Sequence, residues 1–113
     1  MQKPTMLTFA SPGGLEVLVG RDARENDALT FGAGSDDDLW FHAHDVPGAH
    51  VVMRHGAGAG SGCVRFAASL ALRHSKATPA DRRVDVCFVR DVVRPKRARH
   101  GMVEIGNAWI VVV

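Results

Sequence analysis

One stretch of fifteen residues, DLWFHAHDVPGAHVV (38–52), holds the side chains best suited to chemistry. It contains three of the six histidines of the chain, together with a tryptophan and two aspartates. In a strand, His42 and His44 would project from the same face and could share a metal ion, with His50 or His55 as a third ligand. No glutamate follows at the spacing of cupin-like metal sites. The stretch is therefore either a metal site or a histidine-rich hairpin without a metal.

The side chains that could act as nucleophiles have less suitable surroundings. The serines lack a nucleophile elbow, and neither Cys63 nor Cys87 has a metal-binding or redox spacing, so we expect buried, reduced thiols. The glycines of HGAGAGSG (55–62) match neither GxGxxG nor the P-loop pattern and predict a flexible loop. We therefore assign no catalytic residue, metal or cofactor. The residues favour a binding protein over an enzyme without deciding between the two.

The charge of the chain is modest in total but uneven along its length. The 14 Lys and Arg against 12 Asp and Glu leave a net charge of +2. The segment RDVVRPKRARH (90–100), however, has five cationic side chains and one aspartate. Such a concentration predicts an anionic partner, for which nucleic acid is the usual candidate.

The length of 113 residues suits one hydrophobic core, so we expect a single domain over residues 1–113. No stretch has the roughly eighteen apolar residues of a membrane span. The start MQKPTMLTF also lacks the apolar run of a signal peptide. The expectation is a cytoplasmic protein without a membrane partner, and the pattern predicts no particular oligomeric state.

The hydrophobic pattern divides the chain into short strands around one long helix. The predicted strands are MLTFA (6–10) and LEVLVG (15–20) around SPGG, LWFHAH (39–44) and AHVVMRH (49–55) around a tight type II VPGA turn, VDVCFVRDVV (84–93), and MVEI (102–105) and AWIVVV (108–113) around Gly106 and Asn107. A short helix is expected within residues 21–31. The main helix should cover most of 63–77, with a cap near Ser61. These elements predict an α+β fold, a single compact domain with a mainly antiparallel sheet, one long helix and a short helix.

Several side chains have a predicted place in this fold. Trp40 and Trp109 are expected in the core, because large aromatic rings are mostly buried. His74 falls beside the apolar face of the main helix and is expected to be a packing residue. The acidic run of residues 36–38 is expected to be a solvated cluster ahead of a strand.

Four stretches, in order along the chain, resemble the motifs of a known family. LVGRDARENDALTF resembles a segment "VGRN…QND.LT", and DLWFHAHDVPGAHVVMR resembles a hairpin "D.WFH….PGSHVVI". AASLALRHSKA is similar to a helix "AA.LAA..SKA", and VDVCFVRDVVRPKRARHGMVEI resembles a closing segment "V…VKKPKGAKPGMV". These are the motifs of the NFACT-R domain, and the resemblance is strongest over residues 15–105.

The resemblance implies an RNA-binding module. In its best-known setting the family belongs to multidomain ribosome-quality-control proteins, which bind the large ribosomal subunit and tRNA and support template-free addition of C-terminal tails to stalled chains. The sequence contains no lyase-like domain, helix-hairpin-helix element or coiled coil of those proteins, so we expect the stand-alone form. The implied partners are RNA, as tRNA or rRNA, and the large ribosomal subunit, in translation, ribosome quality control or RNA modification.

The motifs also assign individual residues of this chain to family positions. The positions that match are Arg21, Asn26, Asp27, Asp38, Trp40, His42, Pro47, Gly48, His50, Ser75, Lys76, Pro95, Lys96, Gly101 and Met102. His44 stands where the family usually has Lys, which makes one charge dependent on pH. Arg97 stands where it usually has Gly and adds a charge, and Ala49 stands where it usually has Ser.

The charges and the resemblance together predict an RNA-contact surface. The predicted RNA-binding residues are Arg21, Arg24, His42, His44, His50, Arg54, Arg65, Arg73, Lys76, Arg94, Lys96, Arg97 and Arg99. The cations would contact phosphates, while His42 and His50 would add hydrogen bonds to phosphate or 2′-hydroxyl groups. Asp45, opposite His50 across the tight turn, would orient the ring of His50. Two alternatives stay open: an RNA-processing or RNA-modifying enzyme that uses the histidines for acid–base or metal chemistry, and a docking surface for an acidic protein.

Overall fold

A six-stranded sheet forms the centre of the fold, which a computed structural model describes for residues 6–113. Its strands are β1 (Leu7–Ala10), β2 (Glu16–Val19), β3 (Leu39–Ala43), β4 (Val51–Met53), β5 (Arg83–Phe88) and β8 (Trp109–Val112), in the order β1-β2-β4-β3-β5-β8. Every neighbouring pair is antiparallel. A separate two-stranded ribbon joins β6 (Val92–Val93) to β7 (Glu104–Ile105). The first five residues of the expected domain lie outside the described residues.

Both faces of the sheet are covered, because alternate residues of each strand point to opposite sides. Helix α2 (Ser61–Arg73) packs on one face, against residues such as Phe41 of β3. Helix α1 (Ala23–Asp27), the wider helical turn Ala28–Ala33 and the ribbon cover the other face, where Trp40 is buried. The predicted α+β fold, with a mainly antiparallel sheet, one long helix and a short helix, is confirmed.

Helix α2 packs closely on the sheet and has well-defined ends. Small side chains, Ala67, Ala68 and Ala71, are fully buried and let the helix lie close to the sheet. The helix ends earlier than the predicted 77, because His74 leaves helical geometry at φ −99° and ψ 37°. His74 is partly buried and its ring lies 6.5 Å from that of Phe9, in agreement with its predicted packing role. The N-cap is the backbone of Gly60, and no side chain caps this end.

Both predicted tight turns in the second half of the sheet are wrong. At VPGA, the Lys76 N–H donates to the Pro47 carbonyl at 2.9 Å and the Ala49 N–H donates to the His74 carbonyl at 3.0 Å. These residues therefore pair with the chain after α2, and the β3–β4 connection is a wider loop. At Gly106-Asn107, β7 and β8 do not pair with each other, because β7 pairs with β6 and β8 with β5.

Of three predictions on individual side chains, the one for Trp40 is confirmed and those for Trp109 and Asp38 are wrong. Trp40 is 2% exposed, as predicted, whereas Trp109 is 41% exposed because β8 is an edge strand. Asp38 is buried rather than solvated, and its carboxylate accepts from the N–H groups of Ser35 and His55, which fixes the chain at the start of β3.

The two cysteines differ in burial and surroundings. Both cysteines are free, and burial raises the pKa of Cys87 to about 12, so its thiol is unreactive. Cys63 is partly buried, and its sulfur accepts from the Ser11 hydroxyl at 3.3 Å. Over residues 6–113, no helix is both long and apolar enough to cross a membrane.

Candidate nucleic-acid interface

An open groove with a volume of about 660 Å³ lies at the end of the sheet where β3 leaves it. Its walls come from the start of α1, the β3–β4 loop, the chain that follows α2, and residues 100–102. The arginines and the lysine that line it are Arg21, Arg73 and Lys76, and the other titratable side chains in its lining are Asp22, His42, His74 and His100. The arginines and the lysine come from two segments far apart in sequence, the start of α1 and residues 73–76, which meet at one concave surface.

The wall formed by the β3–β4 loop and the chain after α2 depends on a close backbone approach at Gly48. A Cβ atom at this position would lie 2.8 Å from the Cβ of Ser75, closer than side chains tolerate. The approach allows the hydrogen bonds that join Pro47 and Ala49 to the 74–76 segment. The backbone of Lys76 is therefore fixed beside the groove, and its side chain lines the groove.

Asp27 anchors the cationic loop (residues 94–101), whose last two residues, His100 and Gly101, line the groove, while residues 94–99 lie beside it. Its buried carboxylate accepts from the Gly101 N–H at 2.8 Å and contacts Arg94 at 2.9 Å and His100 Nδ1 at 2.6 Å. Burial alone would raise the pKa of Asp27, but the Gly101 N–H, His100 and Arg94 together outweigh burial and hold that pKa below its usual value. Both ends of the loop are thereby attached to one charged carboxylate, and this attachment weakens only when acid protonates Asp27.

The cations at the tip of the cationic loop are exposed and available. Arg94 is used internally, since it contacts Asp27 and lies 4.9 Å over the ring of Phe31. Lys96, Arg97 and Arg99 are exposed, and their side chains have no ion pair or hydrogen bond within residues 6–113. Arg97 also has a left-handed backbone with φ 60°, the geometry that favours the glycine of the resembling motif.

His50 holds the cationic loop from inside the protein. A chain of hydrogen bonds joins Trp40 to Gly101 through Thr30 and His50. Trp40 Nε1 can only donate and the Gly101 carbonyl can only accept, so every bond in the chain has the same direction. Trp40 donates to Thr30 Oγ1 at 3.2 Å, the Thr30 hydroxyl donates to His50 Nδ1 at 2.8 Å, and His50 Nε2 donates to the Gly101 carbonyl at 3.0 Å. Burial, with a further effect of His42, lowers the pKa of His50 to about 4, so the ring is neutral at pH 7.

The predicted roles of His50 and Asp45 change accordingly. His50 is 1% exposed with both ring nitrogens occupied, so it stabilises the fold and neither nitrogen is free for the predicted hydrogen bonds to RNA. Asp45 does not orient this ring, because the tight turn that would have placed it opposite His50 does not form. Asp45 instead lies 3.3 Å from His44 Nε2 and has a left-handed backbone.

His42 and His44 point to different surroundings. The ring of His42 lies parallel to that of Trp40, with 5.7 Å between centroids and 6° between planes, and burial lowers its pKa. His44 lies outside the groove, where Nδ1 contacts Asp85 Oδ1 at 2.8 Å. Among the described residues, no group of three or more His, Cys, Asp or Glu side chains could hold a metal ion.

Three other predicted contacts lie outside the groove. Arg24 and Arg65 are exposed, on α1 and at the start of α2. Arg54 pairs with Glu16 at 3.0 Å and follows β4 at the opposite end of the sheet, so we leave it out of the interface. Sequence reasoning overlooked Asp27 and His100 as anchors. Asp27 does match a motif, but only the fold shows that it meets a loop 73 residues later.

Comparisons with known proteins agree on one family. The sequence matches the family model described as NFACT protein RNA binding domain over residues 5–108. It is 35% identical over 111 residues to the Rqc2 homolog RqcH of Bacillus subtilis (strain 168), covering 97% of this chain and 19% of that protein. It is also 35% identical over 103 residues to the Rqc2 homolog RqcH of Streptococcus suis (strain 05ZYH33), covering 90% and 18%. The chain thus spans about a fifth of the length of these relatives.

One solved structure has the same fold throughout. It is the structure of the C-terminal of the fibronectin/fibrinogen-binding protein from Streptococcus suis. The two superpose with a TM-score of 0.92 at 29% sequence identity, over 100% of this chain and 46% of that chain. The arrangement of strands and helices described above is therefore that of a known structure.

Proposed function

The chain belongs to the family of NFACT protein RNA-binding domains, and on that premise we propose that it binds RNA through its groove and cationic loop. The observation that carries the proposal is the state of Lys96, Arg97 and Arg99. These cations are exposed without a carboxylate partner in the described part of the chain, on a loop that Asp27 and His50 hold in place. Neighbouring positive charges repel one another, and phosphates would relieve that repulsion.

The groove extends this surface. Arg73 and Lys76 line it from the end of α2, and Arg21, which pairs with Glu25 at 2.8 Å, lines it from the start of α1. Cations on two facing walls suit the sugar–phosphate backbone of an RNA strand, and such contacts position the strand without reading its sequence. His44 is held between Asp85 and Asp45 and is left out of this surface.

The RNA we propose is tRNA or rRNA, and the setting is ribosome quality control in the cytoplasm. The support is the likeness to proteins named Rqc2 homolog RqcH, which extends over nearly the whole chain. On this proposal the domain contacts RNA on the ribosome, with the large subunit as its partner.

The salt dependence of RNA binding tests the proposal. The variant Lys96→Ala/Arg97→Ala removes two proposed phosphate contacts, and each contact releases condensed counterions. The slope of log K against log salt should therefore flatten by roughly one to two units, with a similar loss of affinity for every RNA sequence. The measurement is fluorescence anisotropy with labelled tRNA over a series of salt concentrations.

A charge-matched control makes this test specific. Arg54→Ala/Arg90→Ala also removes two positive charges, but Arg54 pairs with Glu16 and Arg90 with Asp37, at the end of the sheet away from the groove. This control should keep the slope and nearly all of the affinity. If the loop variant remains folded and binds as well as the parent, the loop does not contact RNA, and a docking surface for an acidic protein becomes the better account.

A further inference from the structure

A second, smaller pocket of about 420 Å³ opens beside the groove. It lies between residues 45–47 of the β3–β4 loop and residues 101–105, and its floor contains Trp40, His42 and Asp85. His42, Pro47 and Gly101 line both the pocket and the groove. A strand whose phosphates occupy the groove therefore passes the mouth of this pocket.

The floor of the pocket presents an aromatic surface. One face of the His42 ring lies on Trp40, at 5.7 Å between centroids, and the edge of His50 approaches it at 5.9 Å. His42 is only partly buried and lines the pocket. Its remaining face can therefore continue the Trp40–His42 stack with one more planar ring, which is how proteins bind unstacked RNA bases.

The polar group on the floor is a carboxylate with one free oxygen. Asp85 Oδ1 is occupied by His44 Nδ1 at 2.8 Å, whereas Oδ2 has no hydrogen-bond partner among residues 6–113. The side chain is 19% exposed and lines the pocket, so its remaining acceptor capacity is open to a ligand there. A carboxylate accepts from the exocyclic amino group of a base, as in the pairing of Asp or Glu with cytosine N4.

We propose that this pocket takes one unstacked base of the bound RNA and that Asp85 selects a base with an exocyclic amino group. Uracil carries carbonyl oxygens and no exocyclic amine. In the pose that sets the amino group of cytosine against Asp85 Oδ2, uracil would set its C4 carbonyl oxygen there, and two acceptors left facing each other in a partly desolvated site weaken binding. The inference rests on the proposed function, because the groove must hold the adjoining phosphates.

The test compares two stem–loop RNAs that share one stem and differ only in a loop of cytidines or of uridines. The stem measures binding to the cations, and the loop measures occupancy of the pocket. All measurements use the variant Trp109→Phe as the parent protein, because Trp40 is then its one tryptophan. Trp109 pairs with Val86 on the sheet face turned to α2, which is not the face of Trp40. We expect the cytidine loop to bind about tenfold more tightly and to change the fluorescence of Trp40.

Substitution of Asp85 provides the matched variant. An amide both donates and accepts, so Asp85→Asn should reduce the preference for the cytidine loop over the uridine loop to within about twofold. Its affinity for the blunt stem, a duplex of the same stem without a loop, should be unchanged. Asp81→Asn makes the same change of charge in a carboxylate that pairs with Arg83 and does not line the pocket, and should keep the preference. Equal unfolding temperatures and equal binding of the blunt stem show that both variants are folded.

The possible outcomes separate the pocket from the groove. If both loops bind equally and Trp40 fluorescence does not change, the pocket proposal is wrong while RNA binding by the groove stands. If Asp85→Asn retains the full preference for cytidine, the carboxylate does not select the base and the proposal also fails. If neither stem–loop nor the blunt stem binds at low salt, the proposed function fails together with the pocket.

Discussion

Two buried polar residues determine where the cations of this protein lie. Asp27 binds both ends of the cationic loop, and His50 accepts from Thr30 and donates to Gly101. The polar atoms of both residues are occupied inside the protein, yet without these residues the loop would have to be ordered at the moment of binding, which costs free energy. These residues act by fixing the backbone that carries the cations.

The neutral, buried ring of His50 predicts a pH dependence of stability. Because the pKa of His50 is lowered from 6.5 to about 4, the unfolded chain takes up a proton below pH 6.5 that the folded chain does not. The free energy of unfolding should therefore fall as the pH decreases from 6.5 towards 4, by about 3 kcal/mol from this residue. Chemical denaturation at a series of pH values measures the effect.

Two histidine variants identify the source of that dependence. His55 is exposed, so His55→Gln should keep the slope of the parent. His50→Gln should be less stable at pH 7, because the Thr30–Gly101 link is damaged, but its stability should depend less on pH. An identical pH profile in His50→Gln would show that another group is responsible.

At the scale of elements, patterns that depend on local periodicity were predictable and pairings between distant segments were not. Alternation predicted β3 and β4, and helical spacing predicted most of α2. The VPGA segment has the composition of a type II turn, but hydrogen bonds from His74 and Lys76 made a wider loop more stable. Gly106 and Asn107, which follow β7, are turn residues as well. β8 nevertheless pairs with β5 rather than with β7, because that edge of the sheet is open to it.

The same division applies to the interface. The sequence showed the cluster of cations between 94 and 99, since these residues are neighbours in the chain. It did not show that His50 would be buried, because only the packing of Thr30, Trp40 and Gly101 around its ring requires this. Which histidine faces solvent is decided by tertiary contacts rather than by spacing.

The backbone of the cationic loop predicts opposite effects of one substitution on folding and on binding. Arg97 has a φ of 60°, which is unfavourable for a side chain with a Cβ atom but not for glycine. Arg97→Gly should therefore raise the free energy of unfolding by up to about 1 kcal/mol. It should also weaken RNA binding and reduce the salt slope by about one unit. Thermal unfolding and anisotropy on the same samples check both effects.

Arg99→Gly is the control for the backbone effect. Arg99 is exposed like Arg97, but its φ is not positive, so glycine relieves no strain there. The Arg99 variant should lose a similar part of the affinity and gain no stability. A gain of stability in both variants would mean that charge repulsion, rather than backbone strain, limits the stability of the loop.

At the scale of the whole molecule, the cations of the cationic loop that are unpaired among the described residues contrast with the paired arginines at the opposite end of the sheet. At the end away from the groove, Arg54 pairs with Glu16 and Arg90 with Asp37, so these arginines are neutralised internally. At the groove end, Lys96, Arg97 and Arg99 have no such partner within residues 6–113. A net charge of only +2 therefore conceals one strongly positive surface, which should orient the domain as it approaches RNA.

The central claim is that RNA lies in the groove and against the cationic loop, and crosslinking tests it most directly. The full chain is irradiated with bound tRNA, and mass spectrometry then identifies the crosslinked peptides. The account predicts crosslinks within the segments that form the groove, the pocket and the cationic loop, which are residues 20–26, 42–49, 73–76 and 94–105, with few elsewhere. Crosslinks concentrated at the start of α2 or along the exposed strand β8, with none in those segments, would contradict it.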